Sequence, residues 1–336
     1  MPLTLKDIAR MAGVAESTVS RAINNKPGVG EETKKKIMEI VREHNFQPNQ
    51  LAQGLAKKET HMIALMVTDL SSVGYEIIKS IESVANKEGY NCIICNTDNN
   101  PEKKKAYLQL VLNNRVDGAI IIGGELADKS ILNLALKKDG SLVLVNCLAE
   151  EMLIPTLLVD NSKGSCLAVS HLLEQGLENI AIVMGPSDDF LESEKLAGYK
   201  QALEKYNIPF RNDLVFETDG SQEGAYWAFL KAVDGEGLPD GFFVTSDILA
   251  IGLVDVIKTG GYLVPEDFPV IGYGDSLITS TISPSLTVVA EPLTNLGSCA
   301  AEYIISLIRG KCPEDIIKVL DPVLIKRESS IVKKTK

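Results

Sequence analysis

Histidine, tryptophan and cysteine are scarce in this 336-residue chain, which has three histidines, one tryptophan and six cysteines. His44, His61 and His171 stand in separate segments, so they offer no paired imidazoles for a metal. Cys92 and Cys95 form a CxxC spacing, but they fall within a strand-like run, where residues i and i+3 point to opposite faces. We therefore expect no metal, no cofactor and no catalytic histidine, and we expect His171 to be an ordinary helix residue.

Glycine patterns that cradle nucleotide phosphates are also missing, because neither GxGxxG nor a P-loop sequence follows any strand-like segment. Carboxylates at the predicted strand ends can act as acids or bases, yet at such ends they more often cap helices or hydrogen-bond a ligand. They are Asp69, Asp160, Asp219, Asp247 and Asp275. The sequence therefore favours a protein that is not an enzyme.

No apolar run approaches the roughly 18 residues that a membrane-spanning helix needs. The first residues, MPLTLKDIARMAG, contain neither the apolar core nor the small-residue cleavage site of a secretion signal. We expect a cytoplasmic protein whose cysteines are reduced and buried as small apolar side chains. With 45% hydrophobic and 24% charged residues, a chain of this length should form two or more globular domains.

The chain has fewer basic than acidic residues, and its formal net charge is −11. The basic residues are unevenly distributed along the sequence. Residues 1–60 contain ten Lys and Arg against seven Asp and Glu, whereas the remaining residues contain 24 against 38. Such asymmetry indicates a basic module that faces nucleic acid, joined to an acidic body.

Three short helices are predicted in residues 1–46. Thr4 and Asp7 have the spacing of a capping box at the start of LKDIARMA, and Gly13 ends that helix. A second helix follows in STVSRAINN and a third in EETKKKIMEIVREHNF. The apolar positions share one face of each helix: Leu5, Ile8, Ala9, Ala12, Val19, Ala22, Ile23, Ile37, Ile40 and Val41. A tight glycine turn between the first two of three short helices is typical of a helix-turn-helix domain.

The polar face of the second helix suits DNA, because a recognition helix needs small or polar residues near its N-terminus to enter the major groove. Arg21 can bind guanine through two hydrogen bonds, Glu16 can accept one from a cytosine amino group, and Ser17 lies beside them. Four further polar residues suit phosphate contacts, which position the module without reading sequence: Thr4, Thr18, Ser20 and Asn24. The surface helix of an ordinary bundle presents a similar face, so this stretch alone leaves both interpretations open.

The segment QPNQLAQGLAKKET, residues 47–60, is polar and contains Pro48. Its apolar residues form one narrow helical stripe: Leu51, Ala52, Leu55 and Ala56. About two turns of helix without a core are marginal on their own, and Gly54 costs roughly another 1 kcal/mol relative to alanine. The segment is therefore either a linker or a helix that forms with a partner.

From residue 62 onward, short and nearly continuous apolar segments alternate with helix-length stretches. The first group of strands is MIALMV, NCIICN, GAIIIGG, SLVLVN and LLVD, and the second is NIAIVMG, DLVFET, GFFVTS and PVIGYG. Strands that are apolar on both faces and separated by helices predict parallel sheets covered on both sides. We predict two α/β lobes, at about 61–160 and 161–285, with residues 286–325 returning to complete the first. Two such lobes form a small-molecule cleft between the carboxyl ends of their strands.

The stretch TLKDIARMAGVAESTVSRAINNKPGV closely resembles the signature of the LacI/GalR transcription regulators. The resemblance continues through EETKKKIMEIVREHNFQPNQLAQGL and, in the body, through KLAGY, SDILAIG, VPEDFPVIGYGD and SPSLTVV, so it covers essentially the whole chain. It implies an α/β fold with three parts: a helix-turn-helix domain at 1–46, a hinge helix or linker at 47–60, and a two-lobed, periplasmic-binding-protein-like core of three-layer αβα lobes at 61–336. The implied function is that of a DNA-binding regulator, in particular a repressor, which binds a palindromic operator as a homodimer.

The resemblance also assigns roles to DNA-binding residues. It places Glu16, Ser17 and Arg21 at the base-reading positions in the major groove. It implies that residues 47–60 fold as a hinge in the minor groove, where Leu55 wedges the central base step. The remaining hinge contacts fall on Asn49 and Ala52.

The hinge departs from the family pattern, because Gln53 and Gly54 stand where arginine and serine are common. We expect DNA affinity to depend unusually strongly on whatever holds the hinges together. Replacing Gly54 with Ala should tighten DNA binding, because it removes a penalty of roughly 1 kcal/mol on hinge folding. Titration of operator DNA with the full chain measures this, and an unchanged affinity would contradict it.

The resemblance implies that an effector binds in the cleft and that the resulting shift of the lobes moves the hinges. The pocket positions that it carries over are Tyr75, Asn146, Asp189, Ser193, Lys195, Ser246 and Asp275. Relatives that respond to sugars and purines usually have an aromatic residue where this chain has Gly220, and commonly an aspartate where it has Gly274. The expected ligand is a sugar, a sugar phosphate or a nucleobase.

Two alternatives stay open. The regulator can be controlled by a protein corepressor that docks on the lobes, as in catabolite-control relatives, and an unaltered melting temperature across small-molecule libraries would favour this. The chain can also be a solute-binding or enzymatic α/β protein with an appended helical domain. Sequence-specific binding to duplex DNA would exclude that second alternative.

Overall fold

The computed structural model describes residues 3–44, 46, 59–68, 75–124, 129–137, 140–149, 152–235 and 237–331. The chain divides into two compact units, residues 1–60 and 61–336. Several residues of the predicted hinge lie outside the described residues, namely Asn49, Ala52, Gln53, Gly54 and Leu55. Their roles stay predictions.

The first unit contains three helices, α1 (Leu5–Ala12), α2 (Glu16–Ile23) and α3 (Glu31–Glu43). The predicted capping box at the start of α1 is present, and Gly13, with a φ of 72°, closes the helix in the left-handed region that favours glycine. One buried side chain from each helix meets in the centre, since Ile8, Val19 and Ile37 are all 0% exposed. The predicted helices and their apolar faces are confirmed.

The second unit begins with a six-stranded parallel sheet, which forms the first lobe. Its strands are β1 (Met62–Val67), β2 (Asn91–Asn96), β3 (Gly118–Ile122), β4 (Ser141–Val145), β5 (Thr156–Val159) and β11 (Ile317–Leu320), in the order β11-β5-β4-β3-β1-β2. Helices α4 (Tyr75–Lys87) and α12 (Leu293–Ile308) cover one face, and α5 (Pro101–Leu112) and α6 (Lys129–Lys137) cover the other. Double coverage explains why the strands read as continuous apolar runs.

The second lobe is built on another six-stranded sheet, in the order β12-β10-β9-β8-β6-β7. Its strands are β6 (Ile180–Met184), β7 (Val215–Glu217), β8 (Gly241–Val244), β9 (Val270–Tyr273), β10 (Thr287–Ala290) and the antiparallel β12 (Val323–Ile325). Helices α7 (Asn161–Leu173) and α8 (Phe190–Lys205) pack on one face, and α9 (Gln222–Asp234) and α10 (Asp247–Thr259) on the other. A short helix, α11 (Leu277–Thr281), follows β9. The predicted α/β class is confirmed, since the chain contains a three-helix domain and two helix-covered sheets whose strands are mainly parallel.

One predicted lobe boundary is wrong, because residues 286–325 do not belong wholly to the first lobe. Strand β10 pairs in parallel with β9, with Thr287 opposite Ile271, and β12 pairs with β10. The reason is burial on both faces: Val288 packs under α9 and α10, whereas Val289 packs under α7 and α8. The chain crosses to the first lobe after β10, where α12 and β11 complete that lobe.

The cysteine and histidine predictions have mixed outcomes. Cys92 and Cys95 pack on opposite sides of the first sheet, as predicted, and His171 lies within α7, where its Nε2 is 3.1 Å from the Ser330 hydroxyl. All six cysteines are free thiols, but the prediction that they are all buried is wrong. Cys95 and Cys147 are buried, Cys312 is exposed, and the other three are half-buried. None of the helices in the described part of the chain combines the length and the apolar character that a membrane span requires.

Close packing of α7 on α8 predicts a strong effect at Gly198. A Cβ on Gly198 would lie 2.0 Å from the backbone oxygen of Ser162, so the helices must separate to accept alanine. We expect Gly198→Ala to lower the free energy of unfolding by about 1–3 kcal/mol. Urea unfolding followed by the fluorescence of Trp227, the one tryptophan of the chain, measures this. A glycine-to-alanine change at a helix position without such a contact stabilises instead, so a gain in stability would contradict the packing argument.

Candidate DNA-reading surface and ligand cleft

The outer face of α2 carries the three predicted base-reading residues. Glu16, Ser17 and Arg21 are exposed, whereas Val19 and Ala22 on the inner face are buried. None of the three exposed side chains makes a hydrogen bond to another residue in the described part of the chain. Their polar groups are therefore available to an external partner.

The loop after α2 lies close to Arg21. Gly28 has a φ of 99°, and a Cβ at this position would lie 3.1 Å from Nη1 of Arg21. The loop backbone therefore comes close to the flexible guanidinium group, and the positive φ favours glycine at position 28.

Two of the four predicted phosphate contacts, Thr4 and Asn24, also make hydrogen bonds within the helical domain. The Thr4 hydroxyl donates to Oδ2 of Asp7 at 2.6 Å, and this hydrogen bond holds the pKa of Asp7 below its usual value. The Asn24 amide donates to the backbone oxygen of Ser20 at 2.8 Å. Thr18 is half-buried. Roles for these residues at phosphates stay predictions.

A buried ion pair lies where the strands of the second lobe end. Nζ of Lys195, from α8, donates to Oε1 of Glu192 and to the backbone oxygen of Thr245, both at 2.9 Å. The two side chains are 11% and 12% exposed. The ammonium also lies 4.7 Å from the centre of the Tyr273 ring, a favourable contact for a cation. The predicted pocket residue Lys195 is thus already bound to protein groups.

The other carboxylate oxygen of Glu192 is equally well satisfied. Oε2 accepts hydrogen bonds from the backbone nitrogen of Gly185 at 2.9 Å and from the Thr245 hydroxyl at 2.6 Å. Beside it, the Tyr273 hydroxyl donates to Oδ1 of Asn161 at 2.8 Å, and burial raises the pKa of Tyr273. These groups form a polar layer at the carboxyl ends of β6, β8 and β9, where ligands of open α/β sheets bind.

Three more predicted effector residues cap or support helices. Asp189 accepts from the first amides of α8, and Ser246 accepts from the amide of Leu249 at 3.2 Å, so both are N-caps. Ser193 donates to the backbone oxygen of Phe190 at 2.7 Å. Their effector contacts stay predictions.

The first lobe contributes two predicted residues, Tyr75 and Asn146. Tyr75 begins α4 and is 69% exposed, with Nζ of Lys79 5.6 Å from its ring centre. Asn146 follows β4 with a φ of 51°, and its Oδ1 accepts from the backbone nitrogen of Val159 at 3.1 Å.

Asp275 is engaged by the C-terminal segment. Nη2 of Arg327 donates to Oδ1 of Asp275 at 2.6 Å, and the Thr279 hydroxyl donates to the same oxygen at 3.0 Å. Nη1 of Arg327 further donates to the backbone oxygen of Leu286 at 2.8 Å. The carboxylate of Asp275 is therefore neutralised within the chain.

Two further carboxylates lie at these strand ends, of which the sequence analysis named Asp247 but not Glu291. Asp247, the first residue of α10, lies against Gly274, since a Cβ on Gly274 would be 3.5 Å from its Cγ. Glu291 directly follows β10, and burial raises the pKa of its carboxyl group. The position of Asp247 at a strand end is a usable sequence signal, whereas nothing in the sequence marks Glu291. Gly220 has a φ of 83° and open space around it.

A groove with a volume of about 930 Å³ lies between α7, α8 and β12, and its lining includes neither Glu192 nor Lys195. Lysines and glutamates both line it, among them Lys163, Glu174, Glu204 and Lys205. Within the described residues, no group of three or more His, Cys, Asp and Glu side chains is arranged to hold a metal ion.

Two family models match the chain. Residues 4–49 match "Bacterial regulatory proteins, lacI family", and residues 169–330 match "Periplasmic binding protein-like domain". The first match contains α1, α2 and α3, and the second contains most of the second lobe.

Similar proteins span the whole chain. The transcriptional regulator RegA of Clostridium saccharobutylicum is 32% identical over 98% of this chain and 100% of its own. Catabolite control protein A of Priestia megaterium is 31% identical over 90% of this chain and 92% of its own. A crystal structure of the lac repressor dimer bound to operator and the anti-inducer ONPF superposes with a TM-score of 0.87, at 26% identity over 99% of this chain and 100% of that one.

Proposed function

The chain belongs to the LacI family of bacterial regulatory proteins, which are DNA-binding transcriptional regulators, and from this premise we propose that it is a homodimeric repressor. It binds a near-palindromic operator through α2 and a hinge at 47–60. A small molecule in the interlobe cleft controls that binding. The protein acts in the cytoplasm, where the operator DNA lies.

The single observation that carries this proposal is the outer face of α2. Three polar side chains with unused hydrogen-bonding groups, Glu16, Ser17 and Arg21, stand on a helix anchored from behind by Val19 and Ala22. A two-turn helix exposing such residues near its N-terminus fits the major groove. The negative net charge of the rest of the chain does not argue against DNA binding. Sequence-specific recognition depends on the groups that contact the base edges rather than on the net charge of the protein.

Exposed apolar side chains on both lobes support a dimer. The edge strand β2 exposes Ile93 and Ile94 at 37% and 48%, and an uncovered edge strand invites pairing with another chain. On the second lobe, α9 exposes Trp227 at 54% and α11 exposes Leu277 at 82%. Apolar surface of this kind marks interaction sites, and the similar lac repressor is a dimer in its operator complex.

Small-molecule control is supported by the polar layer at the strand ends. The buried pair of Lys195 and Glu192 holds three strand ends in place, and Asp247 and Glu291 stand beside it. The interface between two α/β lobes is a preferred place for ligands. The expected classes of ligand are sugars, sugar phosphates and nucleobases.

The decisive experiment is the selection of bound duplexes from a random DNA library by the full-length protein at two salt concentrations. Salt separates phosphate attraction from base reading, because affinity from phosphate contacts falls steeply with salt. We expect enrichment of a palindrome with a flexible pyrimidine–purine step at its centre. Such a step supports a wedge at Leu55, because these steps unstack easily.

Loss of all enrichment would contradict the proposal for the isolated protein. A repeat of the selection with added cell extract then separates two causes. Restored enrichment would indicate control by a protein corepressor, whereas continued failure would show that α2 does not read DNA.

A further inference from the structure

The short helix α11, between β9 and β10 of the second lobe, buries its polar residue and exposes its apolar ones. Thr279 is 0% exposed, whereas Leu277 and Ile278 are 82% and 55% exposed. A surface helix normally packs its apolar side chains against the core and exposes its polar ones. The reversed pattern indicates a surface that another molecule covers.

The chain around α11 also lacks charge. Residues 276–290, SLITSTISPSLTVVA, contain no Asp, Glu, Lys or Arg, although these types make up 24% of the whole sequence. Most of residues 276–283 are exposed, so burial does not explain the absence of charge there. The centres of protein–protein interfaces are depleted in charged residues. This surface therefore fits an apolar protein partner, and the proposed homodimer supplies one in a second copy of the chain.

Apolar packing does little to fix the position of α11, because its large apolar side chains are exposed. A helix of five residues is also far shorter than the roughly 12 residues that an isolated helix needs in water. From the backbone, the amide of Leu286 donates to the backbone oxygen of Thr279 at 2.8 Å. Side-chain hydrogen bonds therefore have a large part in holding α11 in place.

Arg327, which lies two residues after β12, supplies such hydrogen bonds. Nη2 donates to Oδ1 of Asp275 at 2.6 Å, and Nη1 donates to the backbone oxygen of Leu286 at 2.8 Å and to the Thr279 hydroxyl at 3.2 Å. The Arg327 side chain is 17% exposed. A planar guanidinium holds several acceptors in a fixed geometry, which a lysine ammonium does not. One side chain thus ties the middle of α11 to the chain on both sides of it.

The backbone at Arg327 is itself fixed to the sheet. Its nitrogen donates to the Thr287 hydroxyl of β10 at 2.8 Å. Two residues later, the buried Ser329 hydroxyl donates to the backbone oxygen of Val270 in β9 at 2.6 Å and accepts from the amide of Thr287 at 2.8 Å. The guanidinium therefore extends from an anchored backbone, and it fixes α11 relative to β9 and β10.

We propose that Arg327 is a positioning residue for dimerisation, which orients α11 so that Leu277 and Ile278 contact a second copy of the chain. This role rests on the proposed homodimer and adds to it a surface and the residue that orients that surface. A twofold dimer buries the same patch on both copies. Without Arg327, α11 must be ordered as the dimer forms, and the entropy lost in that ordering weakens association.

Sedimentation velocity of the full-length protein over a series of concentrations, without DNA, measures the dimer dissociation constant. We expect Arg327→Met to raise this constant by about tenfold or more, because α11 is then ordered on association in both copies. Leu277→Asp places a charge at the exposed centre of the surface and should raise the constant at least as much. The matched control is Arg211→Met, which removes an arginine of the same lobe that pairs with Asp213 and should leave the constant unchanged.

Two further measurements separate positioning from general stability. Gly198→Ala disturbs the same lobe at the contact of α7 with α8 and should leave the dimer dissociation constant unchanged. Hydrogen exchange in the Leu277→Asp background, where the copies are separated, reports on α11 itself. Adding Arg327→Met there should speed exchange of the Thr279 and Ile282 amides by about tenfold, because both amides donate within the turns of α11.

The outcomes distinguish failure of the positioning role from failure of the homodimer. Wild-type dimerisation of Arg327→Met, equal weakening by Gly198→Ala, or unchanged exchange at α11 overturns the role of Arg327 and leaves the homodimer standing. Unchanged dimerisation of Leu277→Asp overturns α11 as the surface. A wild-type protein that sediments as a monomer overturns both, while the DNA selection reports on operator binding independently.

Discussion

We expect the Arg21→Ala variant to lose most of its affinity for the selected operator while keeping its affinity for non-specific DNA. A bidentate contact between arginine and guanine discriminates by about 1–3 kcal/mol. A homodimer on a palindrome makes the contact twice, so the expected loss is about 2–6 kcal/mol, or about 30-fold at the lower end.

Two further variants separate shape from charge. Arg21→Lys keeps the positive charge but loses the planar fork, so it should lose sequence preference nearly as fully as Arg21→Ala. Arg42→Ala removes an exposed charge from the end of α3 and is the matched control. We expect it to weaken binding to all sequences slightly and to leave the enriched palindrome unchanged.

Competition binding between the selected operator and a scrambled duplex, at two salt concentrations, measures these effects. The ratio of the two affinities should collapse for Arg21→Ala and stay constant for Arg42→Ala. An unchanged ratio for Arg21→Ala would show that α2 does not place this guanidinium on a base.

The second large effect is expected at the buried ion pair. Lys195→Met should lower the free energy of unfolding by about 3–5 kcal/mol, because it leaves Glu192 buried without its countercharge. In this variant, Oε2 of Glu192 keeps its hydrogen bonds from the amide of Gly185 and the hydroxyl of Thr245. The other oxygen loses its donor, at 12% side-chain exposure.

An exposed ion pair supplies the control. Nζ of Lys163 lies 2.6 Å from Oδ2 of Asp321, and the two side chains are 46% and 64% exposed. Exposed pairs contribute about 0–1 kcal/mol, so Lys163→Met should change stability far less than Lys195→Met. The double variant Glu192→Gln/Lys195→Met should regain part of the loss, because neither charge is then left unmatched.

Trp227 makes the measurement specific to the second lobe, since it lies on α9 and is the one tryptophan of the chain. Urea unfolding followed by its fluorescence therefore reports on the lobe that contains the pair. Exposed ion pairs contribute about 0–1 kcal/mol to the free energy of unfolding. If Lys195→Met lowers that free energy by less than about 1 kcal/mol, the pair is accessible to water through motions of the protein.

Short-range pattern predicted most of the elements. The stretch LKDIARMA is α1 as observed, and MIALMV and NCIICN are strands β1 and β2. These assignments depend on periodicity and capping within about a dozen neighbouring residues, which the sequence displays directly. The family resemblance added the DNA-reading positions on α2, and that helix exposes them.

Long-range choices were harder to predict from the sequence. Strand β10 pairs with β9 in the second lobe, because Val288 and Val289 are each buried on a different face of that sheet. The residues TVVA fit either sheet equally well as a short apolar strand. The choice between the two sheets depends on the strand and the helices that lie beside β10 in the folded protein, and these are distant in sequence.

The sequence by itself determined the class of the protein, its three-helix head, its two α/β lobes and the polar residues that α2 exposes. Only the tertiary structure decided which charged groups at the strand ends are already paired. Lys195 binds Glu192, and Asp275 binds Arg327. The physical reason is that the partner of a buried charge stands on whichever element packs beside it, and in the Asp275 pair that partner is 52 positions away in sequence.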